Sequence, residues 1–123
     1  IFLDPLSRDN YINHLGTSSV LLDPLYFGAG NSFHESMVYG TPTVTMPTKF
    51  IKSRIVSAAY MQMEIEKPPI VKSKNEYVEL AIDIANSDNL LEIKKYYQKK
   101  ANEKLFNTTK AGEEFNQILL GLE

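Results

Sequence analysis

Apolar positions along this chain fall into short runs cut by proline and glycine, and each run carries the spacing of one kind of element. The opening IFLDPL, Ile1 to Leu6, is apolar and interrupted by Pro5, which suits a buried strand. Ser7 then caps a helix through about Leu15, with Tyr11, Ile12 and Leu15 on one face and Gly16 as its stop. SVLLD, Ser19 to Asp23, reads as a second strand broken by Pro24. A glycine-bearing loop, FGAGNS, leads into a short helical stretch, SFHESMVYG, that Gly40 closes. TVTM, Thr43 to Met46, is a third strand fenced by Pro42 and Pro47.

Farther along, Ser53 to Met63 places Ile55, Val56, Ala59, Tyr60 and Met63 at helical spacing. PIVK, Pro69 to Lys72, is a brief fourth strand. Ser73 and Glu76 form a capping box for a helix to about Asn86, whose expected buried stripe is Val78, Ala81, Ile82 and Ala85. After Ser87 and Asp88 a charged helix runs to about Leu105, with Tyr96, Tyr97 and the lysines from Lys94 to Lys104 along it. Phe115, Ile118, Leu119 and Leu122 mark a last amphipathic helix. Strands alternating with helices over short links predict parallel pairing through right-handed crossovers, an α/β fold with a sheet of about four strands and a helical C-terminal third.

Composition narrows the class. The 123 residues suit one domain and one core, and 43% hydrophobic with 23% charged residues is globular composition. A net charge of -2 excludes the basic field that holds a nucleic-acid backbone, and the glutamates among the C-terminal lysines argue against a membrane patch. The chain has no cysteine, hence no disulfide and no thiolate metal site, and no metal is expected. No signal peptide or long apolar run is present, which makes the cytoplasm the expected location. The start at Ile1, straight into an apolar run, reads as a segment of a longer chain. The sequon Asn107, Thr108, Thr109 is read as a chance match.

Candidate chemistry gathers between Phe27 and Pro42. Gly28 and Gly30 allow a sharp turn and close backbone approach, and the amides of Asn31, Ser32 and Phe33 at the following helix start suit a phosphate. Glu35, one turn in, is placed to accept hydrogen bonds from a ribose diol. The same residues admit a plainer reading, in which Ser32 and Glu35 are an S-x-x-E capping box and the glycines only make a turn.

GAGNSFHESMVYGTPTVTMP resembles the donor-site signature of GT-B glycosyltransferases: a glycine loop, small polar residues, an acidic residue and a later G-x-P, in that order. More narrowly, GTPTVTMP, SRIVSAAYMQM and LFNTT resemble the C-terminal catalytic region of the family of O-linked N-acetylglucosamine transferases and SPINDLY-type relatives, over the whole of residues 1–123. The resemblance implies a Rossmann-like three-layer α/β/α fold, part of a GT-B C-terminal domain. It implies a UDP-sugar donor, hexosyl or N-acetylglucosaminyl transfer to a protein or other hydroxyl or amide acceptor, and a segment inactive without the missing N-terminal half of the enzyme. Asn31 and Ser32 fall where the family has two threonines at the donor diphosphate, and Glu35 where it has a ribose-binding aspartate. Gly30 stands where the animal enzymes have a histidine, which departs from the N-acetylglucosamine pattern. Arg54, with Ser53, matches the S-R of the family's next helix.

The donor-binding set is therefore Gly28, Gly30, Asn31, Ser32, Glu35 and Arg54, with no catalytic acid or base identified. Lys49 and Lys52 are candidates for added positive charge, His34 for a ligand-facing position, and His14 for a structural role at a helix C-terminus. Two other classes remain open, a non-enzymatic nucleotide-binding α/β module and a nucleotide-sugar epimerase. The first strand, lacking upstream neighbours, is expected either to self-associate through its edge or to pair with Ser19 to Asp23.

Overall fold

The structure, a computed structural model, describes residues 2–121. Ile1 of the expected first strand and Leu122 of the expected last stripe lie outside the described residues. Helix α1 spans Arg8–Thr17, α2 Asn31–Met37, α3 Ile55–Gln62, α4 Lys74–Ala85, α5 Leu90–Lys100 and α6 Thr109–Leu120. Strand β1 is Leu21–Leu22 and β2 is Thr43–Val44. A 3-10 turn, Ile51–Ser53, leads into α3, and α5 continues as a π-helical turn, Ala101–Leu105.

The expected three-layer α/β/α fold with about four strands is corrected by this architecture. The described chain is 57% helix and 5% strand, and its sheet has two strands. β1 and β2 pair in parallel, Leu21 with Thr43 and Leu22 with Val44, and beyond them Thr45 makes a single parallel bridge to Ile70. The physical reason lies in the residues that flank each ladder. Thr45 N–H donates to the Pro69 carbonyl at 3.0 Å and Val71 N–H to the Thr45 carbonyl at 2.9 Å, but Pro68 and Pro69 have no N–H with which to extend the ladder. At Thr43 the place of the third strand is taken by a side chain. The Tyr60 hydroxyl accepts from Thr43 N–H at 2.8 Å and donates to the Thr43 carbonyl at 3.0 Å. The expected first strand is absent: Phe2 to Leu6 are exposed and form no ladder, either with Ser19 to Asp23 or elsewhere among the described residues.

The core lies where α2, α3 and α5 converge. Phe33 and Met37 of α2 meet Val56, Ala59 and Tyr60 of α3, closed by Met63, Tyr97, Ala101 and Leu105. Tyr60 is the hub, its ring edge-on to Phe33 at 5.2 Å and to Tyr97 at 5.7 Å. Gly40, which ends the α2 turn at φ +68°, sits so close to α5 that a Cβ there would lie 1.9 Å from the Lys94 carbonyl. Gly16 is not the stop of α1. The helix runs on to Thr17, and a Cβ on Gly16 would fall 2.7 Å from the Tyr39 ring. The C-terminal carbonyls of α1 are held by Lys94, whose Nζ donates to Gly16 at 2.8 Å and Ser18 at 2.6 Å, while burial lowers its pKa.

Ser7 caps α1 and the Ser73–Glu76 box caps α4, both as the local sequence dictates. The α4 stripe is rotated from expectation: Tyr77, Leu80, Ala81 and Ile84 are half-buried, whereas Val78 and Ile82 are exposed. On α6 the apolar residues Phe115, Ile118 and Leu119 are likewise exposed. No helix among the described residues is long and apolar enough to cross a membrane.

Candidate functional site

The carboxyl end of β1 organises the loop that carries the candidate residues. Pro24 ends the strand, and the buried Asp23 turns its carboxylate back into the loop. Its Oδ1 accepts from Ala29 N–H at 2.7 Å and its Oδ2 from the Thr45 hydroxyl at 2.6 Å, so one carboxylate ties the glycine loop to the strand end beside it. The Tyr77 hydroxyl donates to the Asp23 carbonyl at 2.8 Å. Burial, with the nearby Asp23 charge, pushes that phenol up to about 12. Gly28 N–H donates to the Lys52 carbonyl at 2.8 Å, and a Cβ on Gly28 would lie 3.0 Å from that oxygen and 3.2 Å from Asp23 Oδ1. Gly28 is thus tightly packed by the protein's own groups. Gly30 is different: nothing lies within 4 Å of the place its Cβ would occupy.

The start of α2 shows whether Ser32 and Glu35 form a capping box. Gly30 is the N-cap and makes no side-chain cap, and Asn31 is the first helical residue. Ser32 lies inside the helix, where its hydroxyl accepts from the Tyr11 hydroxyl at 2.9 Å. The S-x-x-E capping box is therefore not formed. Glu35 is half-buried, and its carboxylate makes no hydrogen bond or ion pair among the described residues. The Asn31 side chain is exposed.

Arg54 stands across a cleft of about 500 Å³ from His34, with Ile51, Ile55, Ala58 and Gln62 completing much of the wall. Its guanidinium forms no ion pair among the described residues, and His34 is held through Nδ1 at 3.0 Å from the Gly30 carbonyl. The cleft includes none of Gly28, Gly30, Asn31, Ser32 and Glu35. The candidate set therefore divides: Arg54 and His34 face one cavity, while Ser32 looks toward α1. Ser53, the neighbour of Arg54, is buried and ties its loop together, accepting from Thr48 N–H at 3.0 Å and donating to the Phe50 carbonyl at 2.9 Å. Lys49 is exposed and lies over the Phe50 ring at 5.3 Å. His14 is exposed in the last turn of α1, but the cation on the helix end is Lys94.

Asp23 and Tyr77 were not among the sequence candidates. An acidic residue closing an apolar run just before Pro24 and a glycine loop was a readable signal for Asp23; nothing local marks Tyr77. No family model matches the chain, and no curated protein matches it.

Proposed function

We propose that this chain is the donor-binding segment of a glycosyltransferase of the O-linked N-acetylglucosamine transferase and SPINDLY type. It binds a UDP-sugar for transfer to a protein acceptor in the cytoplasm, the remaining catalytic groups coming from another part of the enzyme. The observation that carries this reading is the state of Glu35. Its structural alternative, the capping box, is not used, and a half-buried carboxylate without a partner follows a loop rigidly tied by Asp23. A lone partly desolvated carboxylate gains from a ligand that donates to it, and a ribose diol offers two hydroxyls. Arg54, which lines a cleft apart from Glu35 and has no ion-pair partner among the described residues, offers a cation to an anionic ligand, a departing diphosphate in this reading, without a metal.

Calorimetric titration of UDP into the protein tests this. Glu35→Ala weakens binding by about ten- to a hundredfold, as expected for two hydrogen bonds to a charged group, and Glu35→Gln by less. Melting temperatures stay close to that of the parent, because Glu35 caps nothing. Unchanged affinity for UDP in Glu35→Ala overturns the assignment.

A further inference from the structure

A second cleft, lined by none of the residues of the first, opens where the chain leaves its parallel ladders. Leu25 and Tyr26 follow β1, Met46, Phe50 and Lys52 follow β2, and Lys74 follows the Thr45–Ile70 bridge; together they enclose about 260 Å³. Three chain segments converge there from the carboxyl ends of three neighbouring parallel pieces of backbone, which is where parallel ladders present ligand-binding loops. The lining has a definite chemistry. It holds two aromatic rings that spend much of their area in water, Tyr26 81% and Phe50 56% exposed, two lysines, and no carboxylate. Neither Lys52 nor Lys74 has an ion-pair partner among the described residues, in a chain whose net charge is -2. The floor is fixed independently of any ligand: Lys52 is held at its carbonyl by Gly28 N–H, and Lys74 opens α4 just after the Ser73 cap.

We propose that this cleft binds a small aromatic phosphate, its ring against Tyr26 and Phe50 and its phosphate on Lys52 and Lys74. Exposed aromatic faces gain by stacking on a planar ring, and two unpaired ammonium groups beside them select an anion over a neutral compound. The volume of about 260 Å³ suits a single aromatic base or aryl group with its attached phosphate-bearing part, so the ligand is a mononucleotide or an aryl phosphate rather than a dinucleotide. This site is separate from the Glu35 region and stands or falls without it.

Titration followed by backbone amide NMR tests the proposal with four probes: uridine monophosphate, phenyl phosphate, uridine and inorganic phosphate. Both aromatic phosphates shift the amides of Tyr26, Phe50 and Lys52 saturably, while uridine and phosphate alone bind at least tenfold more weakly. A tighter response to uridine monophosphate identifies a nucleotide as the natural ligand, and a tighter response to phenyl phosphate identifies an aryl ester. Tyr26→Leu and Phe50→Leu each weaken binding roughly tenfold. Lys52→Gln and Lys74→Gln weaken it and flatten its dependence on salt. These side chains are exposed, so the variants keep the parent's melting temperature, and Lys110→Gln on α6 binds as the parent does. The absence of saturable shifts with both aromatic phosphates overturns the proposal, as does an equal response to inorganic phosphate or unaltered binding in all four cleft variants.

Discussion

Gly30 and Gly40 bracket the same short helix, but only Gly40 is held to glycine by its surroundings. Gly40 is left-handed, at φ +68°, and any Cβ there would run into the α5 backbone at 1.9 Å. An L residue in that conformation costs about 1–2 kcal/mol before any clash is counted. Gly40→Ala is therefore expected to lose at least about 3 kcal/mol in urea denaturation, or to fail to fold. Gly30 is at φ -103°, with open space around its Cβ position, and Gly30→Ala costs less than about 1 kcal/mol, the ordinary difference at an N-cap. The two substitutions compared in one denaturation series check the assignment. Residue-level signals were legible in the sequence where they act within a turn, as with the Ser7 cap, the Ser73–Glu76 box and Gly40 as the end of its helix. Those whose partner lies far along the chain were not. Gly16 was expected to stop α1 and instead accommodates the Tyr39 ring, and the cation that holds the end of α1 is Lys94 rather than the nearby His14.

Among the elements, the helices were readable and the sheet was not, and Tyr60 explains part of the difference. The apolar spacing that predicted α3 placed Val56, Ala59, Tyr60 and Met63 inside, where they are. It carried no sign that the Tyr60 hydroxyl would occupy both ladder positions of Thr43 and so end the sheet there. Four short apolar runs next to prolines read equally well as strands or as buried connecting chain, and periodicity cannot separate the two over so few residues. The α4 stripe was displaced by one residue because Tyr77 turns inward to the Asp23 carbonyl, a contact no local pattern encodes. Tyr60→Phe tests the substitution of a side chain for a strand. It leaves the N–H and carbonyl of Thr43 buried without partners, in addition to the Thr43 hydroxyl that already has none. At about 1–3 kcal/mol for each of the two newly stranded groups, the expected loss is roughly 2–6 kcal/mol, and exchange of the Thr43 amide with solvent accelerates at the same time. A loss under about 0.5 kcal/mol would mean that Tyr60 acts only through its ring.

Across the whole molecule, tyrosines join helices to the centre. Tyr60 brings α3 to β2, Tyr77 brings α4 to the end of β1, and Tyr97 brings α5 to the Tyr60 ring. This cohesion was invisible in the sequence, where Tyr97 was read as part of a charged face and Tyr77 was passed over. The candidate site was legible as a segment, since the loop and α2 lie in sequence order, but its division between the Arg54 cleft and the Tyr11 side depends on packing. The tyrosine arrangement has a consequence for pH. Burial raises all three phenols above the ordinary value of 10.0, Tyr77 and Tyr97 each to about 12 and Tyr60 farther still. A group whose folded pKa is raised contributes stability that is complete below the unfolded value and is lost as pH climbs through the folded one. The loss here begins near pH 10 and continues to about pH 12, at no more than about 1.4 kcal/mol per pH unit for each fully shifted phenol. Lys94 works the other way. Its folded pKa is lowered from 10.5, so the unfolded chain binds the extra proton, and stability gains a little as pH rises toward 10.5. Three phenols oppose one ammonium, so the melting temperature holds up to about pH 10 and then falls steeply. Tyr97→Phe starts from a lower melting temperature if Tyr97 is held by more than ring packing, but in either case its decline above pH 10 is shallower than the parent's, because one titrating group is gone. A melting-temperature series from pH 8 to pH 12 on the parent and on Tyr97→Phe measures both slopes. Parallel declines in the two proteins would show that the alkaline loss does not arise from Tyr97.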